Sequence, residues 1–251
     1  MSSPNPVQRL TVRQFADRIK GEMVPLGNRF RYFCAALSLG PEDLKEYLDE
    51  PVAALPPKLA ASLPQIQILL VPYLRHHEAG QGRKRIEIEV STEKPDEDKS
   101  SLSSALIGTP DTVLAFAVKE TEVADYHYRF YRAIAEIAAG HGIPPIYATV
   151  LRDEIRAGAH GEVDDASWRL KLELREGDAG AARAPRRFTA YIRQSFVDTL
   201  TLYLHGICCD IDVDPGPRQL ASNLIRKRLR WFREMYPPPD GYAVLPEDAK
   251  S

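Results

Sequence analysis

One stretch near the end of the chain carries the residue types that bind metal ions. Asp198, His205 and Cys209 are spaced so that a helix would place them on one face, and Asp212 follows just past the end of that predicted helix. Imidazole, thiolate and carboxylate groups are common zinc ligands in proteins. The spacing therefore indicates one zinc or other divalent metal held by His205, Cys209 and Asp212, with Asp198 as a catalytic residue. The simpler alternative is that these groups make polar contacts inside a buried helix.

A second polar cluster occupies residues 153–165. His160 and Glu162 are its candidates for catalysis, because imidazole and carboxylate groups on a loop can act as general acid and base. If this loop meets the helix predicted at 188–212, the two clusters would form a metal-dependent hydrolase. In such an enzyme the metal acidifies a bound water and a carboxylate accepts its proton. The alternative is a polar loop in which an aspartate caps the next helix.

Two further segments could bind a macromolecule rather than catalyse a reaction. Tyr126 and Tyr131 belong to a run rich in aromatic residues, and tyrosine is enriched at binding surfaces. Arg226, Arg230 and Arg233 align on one face of a predicted helix, where they could contact the phosphates of a nucleic acid. The alternatives are core packing for the tyrosines and an ordinary solvated helix face for the arginines.

Composition favours contact with another protein over nucleic acid binding or a recognisable enzyme chemistry. The 251 residues include 33 Lys and Arg and 35 Asp and Glu, a formal net charge of −2, so no overall field attracts nucleic acid. The short signatures of phosphate loops, dinucleotide folds, zinc proteases and serine hydrolases do not occur in the sequence. We therefore prefer a non-catalytic protein that acts through contacts with another protein, and keep the metal-dependent hydrolase as the alternative.

Cysteine usage and hydropathy predict a cytoplasmic protein. Of the three cysteines, Cys208 and Cys209 are adjacent, which is not the pattern of a disulfide framework. Cys34 lies in an apolar run and is interpreted as a buried, unreactive thiol. No run of about 18 apolar residues occurs, so we expect no membrane partner.

The periodicity of apolar residues predicts the α+β class, with a small, mostly antiparallel sheet packed by long helices. The sheet is expected at about 65–118, and residues 168–174 alternate like a further strand, although a helix there is the alternative. We predict a single domain over 1–251. Its other segments are a helical N-terminal region at 9–63 with a helix at 30–39, a mobile loop at 91–110, C-terminal helices at 188–235 and a proline-rich tail at 236–251.

The segment from Phe30 to Leu48 resembles the first two helices of a small helix-turn-helix domain. The resemblance rests on the junction Leu37-Ser38-Leu39-Gly40-Pro41-Glu42-Asp43-Leu44, where one helix would end and the next begin. The chain departs from the motif at Glu50-Pro51, close to the point where a recognition helix should start. For this reason the resemblance is not taken to imply DNA binding.

Asp198 gives the most specific structural expectation. It lies on a predicted helix with few polar positions, so its carboxylate should be buried, and a buried carboxylate needs a partner. We expect that partner to be His205 or a nearby arginine, Arg193 or Arg132.

Overall fold

The computed structural model describes residues 10–79, 85–108, 111–119, 121–176, 184–208 and 220–244. The chain forms two compact units. The first lies within residues 1–52 and 63–129 and contains the strands that the structure describes, whereas the second lies within 53–62 and 130–251 and is helical. The predicted α+β class is confirmed, and the single domain over 1–251 stays a prediction.

The strands of the first unit form two small sheets. Those described are β1 Val24–Leu26, β2 Phe30–Cys34, β3 Ile66–Val71, β4 Tyr73–Ala79, β5 Arg85–Ser91, β6 Ser100–Ser101, β7 Ser103–Leu106 and β8 Thr112–Ala117. One sheet has the order β1-β2-β3-β8-β7, with parallel pairings in the centre and antiparallel pairings at both edges. The other has the order β5-β4-β6 and is antiparallel. Antiparallel pairing therefore predominates, as predicted, but in two sheets.

The core of the first unit lies against the central strands. β3 and β8 are buried along their whole length, which fits their almost uninterrupted apolar sequences. Helix α1, Val12–Ile19, contributes Val12, Phe15 and Ile19 to the same apolar cluster. The hydroxyl of Thr11 accepts the N–H of Gln14 at 3.3 Å, which fixes the first turn of α1.

The helix predicted at 30–39 is wrong, because residues 30–34 form strand β2. Phe30 pairs with Ile66 and Cys34 pairs with Leu70 in a parallel ladder. Aromatic residues favour strands, and the ladder to a buried neighbour supplies hydrogen bonds that a local reading of the sequence does not include. Since the first helix is absent, the resemblance to a helix-turn-helix domain is not supported either.

The other regular elements of the described chain are mostly α-helices. They are α2 Pro41–Leu44, α3 Glu50–Ala53, α4 Pro57–Ser62, α5 Val123–His141, α6 Pro145–Arg156, α7 Asp165–Glu176, α8 Ala184–Cys208 and α9 Ser222–Met235. A π-helical turn, Lys45–Asp49, joins α2 to α3. In the second unit, α6, α7 and α9 all pack against α8. No described helix is long and apolar enough to cross a membrane.

Two other predicted segments also differ from the structure. Residues 168–174 belong to helix α7 and not to a strand, because the buried positions are Ser167 and Lys171, one helical turn apart. The Asp164 carboxylate accepts the N–H of Ala166 at 3.1 Å and so supports the start of that helix. The loop predicted at 91–110 contains a 3₁₀ turn, Glu97–Lys99, and the strands β6 and β7.

Candidate functional site

Four charged side chains meet inside the second unit and form what we call the buried ionic cluster: Glu154, Glu162, Lys171 and Arg228. Each is at most 4% exposed. Nη1 of Arg228 donates to Oε2 of Glu162 at 2.8 Å, and its Nε donates to Oε2 of Glu154 at 3.1 Å. Nζ of Lys171 lies 3.1 Å from Oε1 of Glu162. Two cations balance two anions, so the cluster carries no net charge despite its burial.

The helices place these charges at core positions. In α9 the buried residues Ile225, Leu229 and Phe232 recur with helical spacing, and Arg228 lies within that stripe. In α6, Glu154 follows the buried Leu151 by one turn. A charged residue on an otherwise apolar stripe is the sequence signal that could have revealed the cluster. The arginines predicted to form a binding face in the run 226–233 are Arg226, Arg230 and Arg233, and Arg228 is not among them.

Glu162 is held as an anion by its neighbours. Its carboxylate accepts from Lys171, from the hydroxyl of Tyr191 and from both Nη atoms of Arg228. Burial alone would raise the pKa of this carboxyl, but the hydrogen bonds and charges of Arg228 and Lys171 outweigh burial and lower the pKa. Four hydrogen bonds leave the carboxylate little capacity for a metal or a substrate. The geometry gives Glu162 a structural role and does not support the predicted catalytic one.

Lys171 is held from two sides. Besides Glu162, its Nζ donates to the carbonyl oxygen of Gly161 at 2.8 Å. Gly161 has a φ of +77°, a conformation in which a residue with a Cβ is strained. Burial lowers the pKa of the Lys171 ammonium, and the charge of Glu162 opposes that effect.

Asp198 is buried and paired, as predicted. It is 2% exposed, and its carboxylate accepts from Nη1 of Arg132 at 3.3 Å and from Nε2 of Gln194 at 2.8 Å. The N–H of Ser167, in the first turn of α7, also donates to it at 3.2 Å. Burial is the largest influence on the pKa of this carboxyl and raises it. These contacts anchor α7 to α8, and they favour the structural alternative for Asp198 over the catalytic one.

The predicted metal site is not assembled within the described residues. His160 is exposed, and its ring centroid lies 4.7 Å from that of Trp168. His205 packs its ring edge-on against Tyr131. Among the described residues, no group of three His, Cys, Asp or Glu side chains could hold a metal ion.

Two of the predicted metal ligands cannot be placed. Cys209 and Asp212 lie outside the described residues. A zinc site that includes them therefore stays a prediction.

The predicted binding patches divide between core and surface. Tyr126 and Tyr131 are 1% and 0% exposed, so they pack in the interior and do not form an exposed aromatic patch. Arg226 and Arg230 are exposed and Arg233 is half-buried, as expected for the outer face of α9.

Cys34 does not provide a reactive thiolate. It is a free cysteine, and burial raises the pKa of its thiol to about 11. A thiol with that pKa is protonated at neutral pH and is a poor nucleophile. Cys34 is half-buried and not fully buried as predicted, but the raised pKa of its thiol fits the interpretation that it is unreactive.

The first unit contains an open groove that the sequence analysis missed. Its volume is about 730 Å³, and it is lined by the first turn of α1 and by two strands that lie at sheet edges. We call it the edge groove; its lining residues are Thr11–Gln14 from α1, Ile86–Ile88 from β5 and Ser103–Leu106 from β7.

The floor of the groove continues the core face of β5. Ile86, Ile88 and Val90 point to the same side of the strand, because side chains alternate. Val90 is 1% exposed and Ile88 is half-buried, whereas Ile86 is 65% exposed. The side of β5 that faces the core thus continues into the groove, where the side chain of Ile86 remains in contact with solvent.

The entry of the chain into α1 explains why the groove begins at Ile88. Leu10 accepts the N–H of Val90 at 3.0 Å, and Thr11 forms an isolated antiparallel bridge with Glu89. Helix α1 starts at the next residue, so the chain leaves the side of β5 at this point. Beyond the bridge, β5 and β7 both line the edge groove.

Comparison with known proteins gives no further guidance. No protein-family model, no curated protein and no solved structure matches the chain.

Proposed function

We propose that the protein is non-catalytic and acts by binding another protein through the edge groove. The observation that carries the proposal is the exposure of Ile86, at 65%, on the core face of β5. An apolar side chain that faces a cleft gains about 1.5–3 kcal/mol when a partner buries it fully. The half-buried side chains of Ile88 and Leu106 line the same groove, so a partner that covers Ile86 can contact them as well.

The groove lacks the groups that would fix a small charged ligand. Arg13 and Glu87 are the charged residues among those that line it. The guanidinium of Arg13 already donates to the backbone oxygen of Asp111 at 3.4 Å. A phosphate or nucleic acid site needs several converging cations, which the lining does not provide. The walls instead offer strand backbone and aliphatic side chains, which suit a polypeptide.

A cytoplasmic location forms part of the same proposal. Cys34 is a free cysteine, which is the usual state of a thiol in a reducing compartment.

A peptide selection with two matched variants tests the proposal. A displayed library of random short peptides is selected on the protein, and enriched peptides are measured by fluorescence anisotropy. Ile86→Asp should weaken binding at least about tenfold, because burying a charged aspartate against an apolar side chain of the peptide costs free energy. Ile146→Asp is the control, since Ile146 is also exposed, at 55%, but does not line the groove. It should bind like the wild type.

Two results would overturn the proposal. One is that selection yields no peptide whose affinity depends on Ile86. The other is that Ile86→Asp and Ile146→Asp weaken binding equally, which would place the contact elsewhere. Circular dichroism of both variants confirms that each remains folded before affinities are compared.

A further inference from the structure

We propose, on the basis of the function proposed above, that the bound segment adds to the five-stranded sheet as an extra β-strand along β7. The occupant is an extended, uncharged segment of a partner protein, with apolar side chains at alternate positions. In this mode the backbone of the edge strand supplies affinity and the side chains of the groove supply selectivity.

The sheet edges differ in how well they are protected against pairing. Natural proteins discourage pairing at an edge with proline, charge or a very short strand. β1 has three residues and contains Pro25, and β5 carries Glu87 and Glu89. β6 has only two residues. β7 reads Ser-Ser-Ala-Leu and contains neither charge nor proline. Among the described edge strands β7 is therefore the least protected, and it lines the groove.

The hydrogen-bond pattern shows which backbone groups face the groove side of β7. The N–H of Ala117 donates to the carbonyl oxygen of Leu102 at 3.0 Å, and the ladder continues with Ser103 opposite Phe116. Bonded and non-bonded pairs alternate in an antiparallel ladder. The N–H and C=O groups of Ser103 and Ala105 are therefore directed away from β8. The C=O of Ser103 already accepts the hydroxyl of Ser101 at 3.0 Å. A strand laid along β7 would therefore pair chiefly with the N–H of Ser103 and with the N–H and C=O of Ala105.

An extended segment needs less room at this edge than a second copy of the chain. β5 and the first turn of α1 line the groove together with β7. A second copy of the chain would have to bring a whole sheet to this edge, whereas an extended segment needs only one strand spacing, about 4.8 Å. Alternate side chains of the segment would then contact Ile86, Ile88 and Leu106, which all line the groove.

The test removes one backbone donor without changing the ladder to β8. Ala105→Pro deletes an N–H that points away from β8, and proline is tolerated at such edge positions. Ala221→Pro is the matched control, because Ala221 is exposed, lies in the other unit and has a φ of −54° that suits proline. A peptide from the selection above should bind Ala105→Pro at least about tenfold more weakly and Ala221→Pro unchanged.

N-methylation of the peptide gives a second measurement that does not depend on the variant folding. Methyl groups placed on successive peptide amides should abolish binding at every second position, because alternate amides face β7. Amide exchange at Ser103 should also slow when the peptide binds.

The possible failures can be told apart. If binding depends on Ile86 but not on Ala105→Pro, and N-methylation shows no two-residue period, strand addition is wrong and the proposed function stands. If no peptide binds through Ile86, the proposed function fails first. If the protein dimerises in sedimentation experiments and Ala105→Pro abolishes the dimer, the occupant is a second copy and the assignment of a partner protein is wrong.

Discussion

The two units depart from the usual inside–outside arrangement of side chains in opposite ways. In the second unit, four charged side chains are buried among helices, and each has an oppositely charged neighbour. In the first unit, Ile86 lies on the core face of a strand and yet is 65% exposed. Buried charges that are fully paired restrict a core to one arrangement, and their removal costs stability. An exposed apolar side chain at a sheet edge costs little stability and remains available to a partner.

This comparison separates residues that hold the fold from residues that could act outside it. Glu162 and Asp198 are the carboxylates of the predicted hydrolase that the structure describes, and both are buried. Each already accepts hydrogen bonds from neighbouring side chains. The groove residues, in contrast, are not needed to neutralise a buried group. Substitutions in the second unit should therefore change the free energy of unfolding, whereas substitutions in the edge groove should change binding.

The largest expected effect comes from Arg228→Ala. This change leaves the carboxylates of Glu154 and Glu162 buried without the guanidinium that bridges them. Loss of one partner from a buried ion pair typically costs about 3–5 kcal/mol. The variant should unfold at a much lower urea concentration than the wild type, in equilibrium unfolding followed by circular dichroism.

Arg226→Ala is the control for this prediction, because Arg226 lies on the same helix and is exposed. It should unfold like the wild type. If Arg228→Ala shares its midpoint, the buried ionic cluster does not stabilise the second unit and the contrast between the units fails.

A smaller loss is expected for Asp198→Ala, about 2–3 kcal/mol. The change removes the acceptor for the Ser167 N–H at the start of α7 and for Nε2 of Gln194. The loss is smaller than for Arg228 because the side chain of Arg132 is 30% exposed and can regain water. Asp198→Asn keeps an acceptor oxygen and should cost about half as much. Equal urea midpoints for Asp198→Ala and the wild type would contradict this account.

Local apolar patterns were sufficient for some elements but not for those that depend on neighbours. β3 and β8 follow from continuous apolar runs, and α8 follows from apolar residues that recur on one helical face. The apolar run of β2 alone does not distinguish a strand from a helix, whereas its parallel ladder to β3 does. In α7 the apolar alternation of the leucines hides the turn-spaced burial of Ser167 and Lys171, so the sequence alone permits a strand or a helix there.

The site residues show the same limit. Glu162 and Asp198 were selected for their chemical type, and Asp198 was also predicted to be buried and paired. For Glu162 the sequence could not show that Arg228, 66 positions later, would occupy its carboxylate. The edge groove was missed because it forms between strands that are paired in different sheets. No local pattern in β5 or β7 indicates that both line one groove.

The smallest expected effect concerns pH: the contributions of two buried carboxylates to the free energy of unfolding change in opposite directions as the pH rises. The pKa of Glu162 is lowered in the fold because Arg228 and Lys171 outweigh the effect of burial, so this group adds stability above the usual carboxyl value of 4.5. That contribution is lost as the pH falls through the lower pKa of the folded state. The pKa of Asp198 is raised, chiefly by burial, from 3.8. Its contribution is therefore present below that value and is lost as the pH rises through the higher pKa of the folded state.

Glu162→Gln and Asp198→Asn allow this difference to be measured, because neither side chain titrates. We expect the stability advantage of the wild type over Glu162→Gln to grow as the pH rises from about 3 to about 7. Over the same range, its advantage over Asp198→Asn should shrink. Urea unfolding at several pH values gives both curves. If the two stability differences change with pH in the same direction, the two carboxylates share one kind of environment. The account in which neighbouring cations dominate the pKa of Glu162 and burial dominates the pKa of Asp198 would then be wrong.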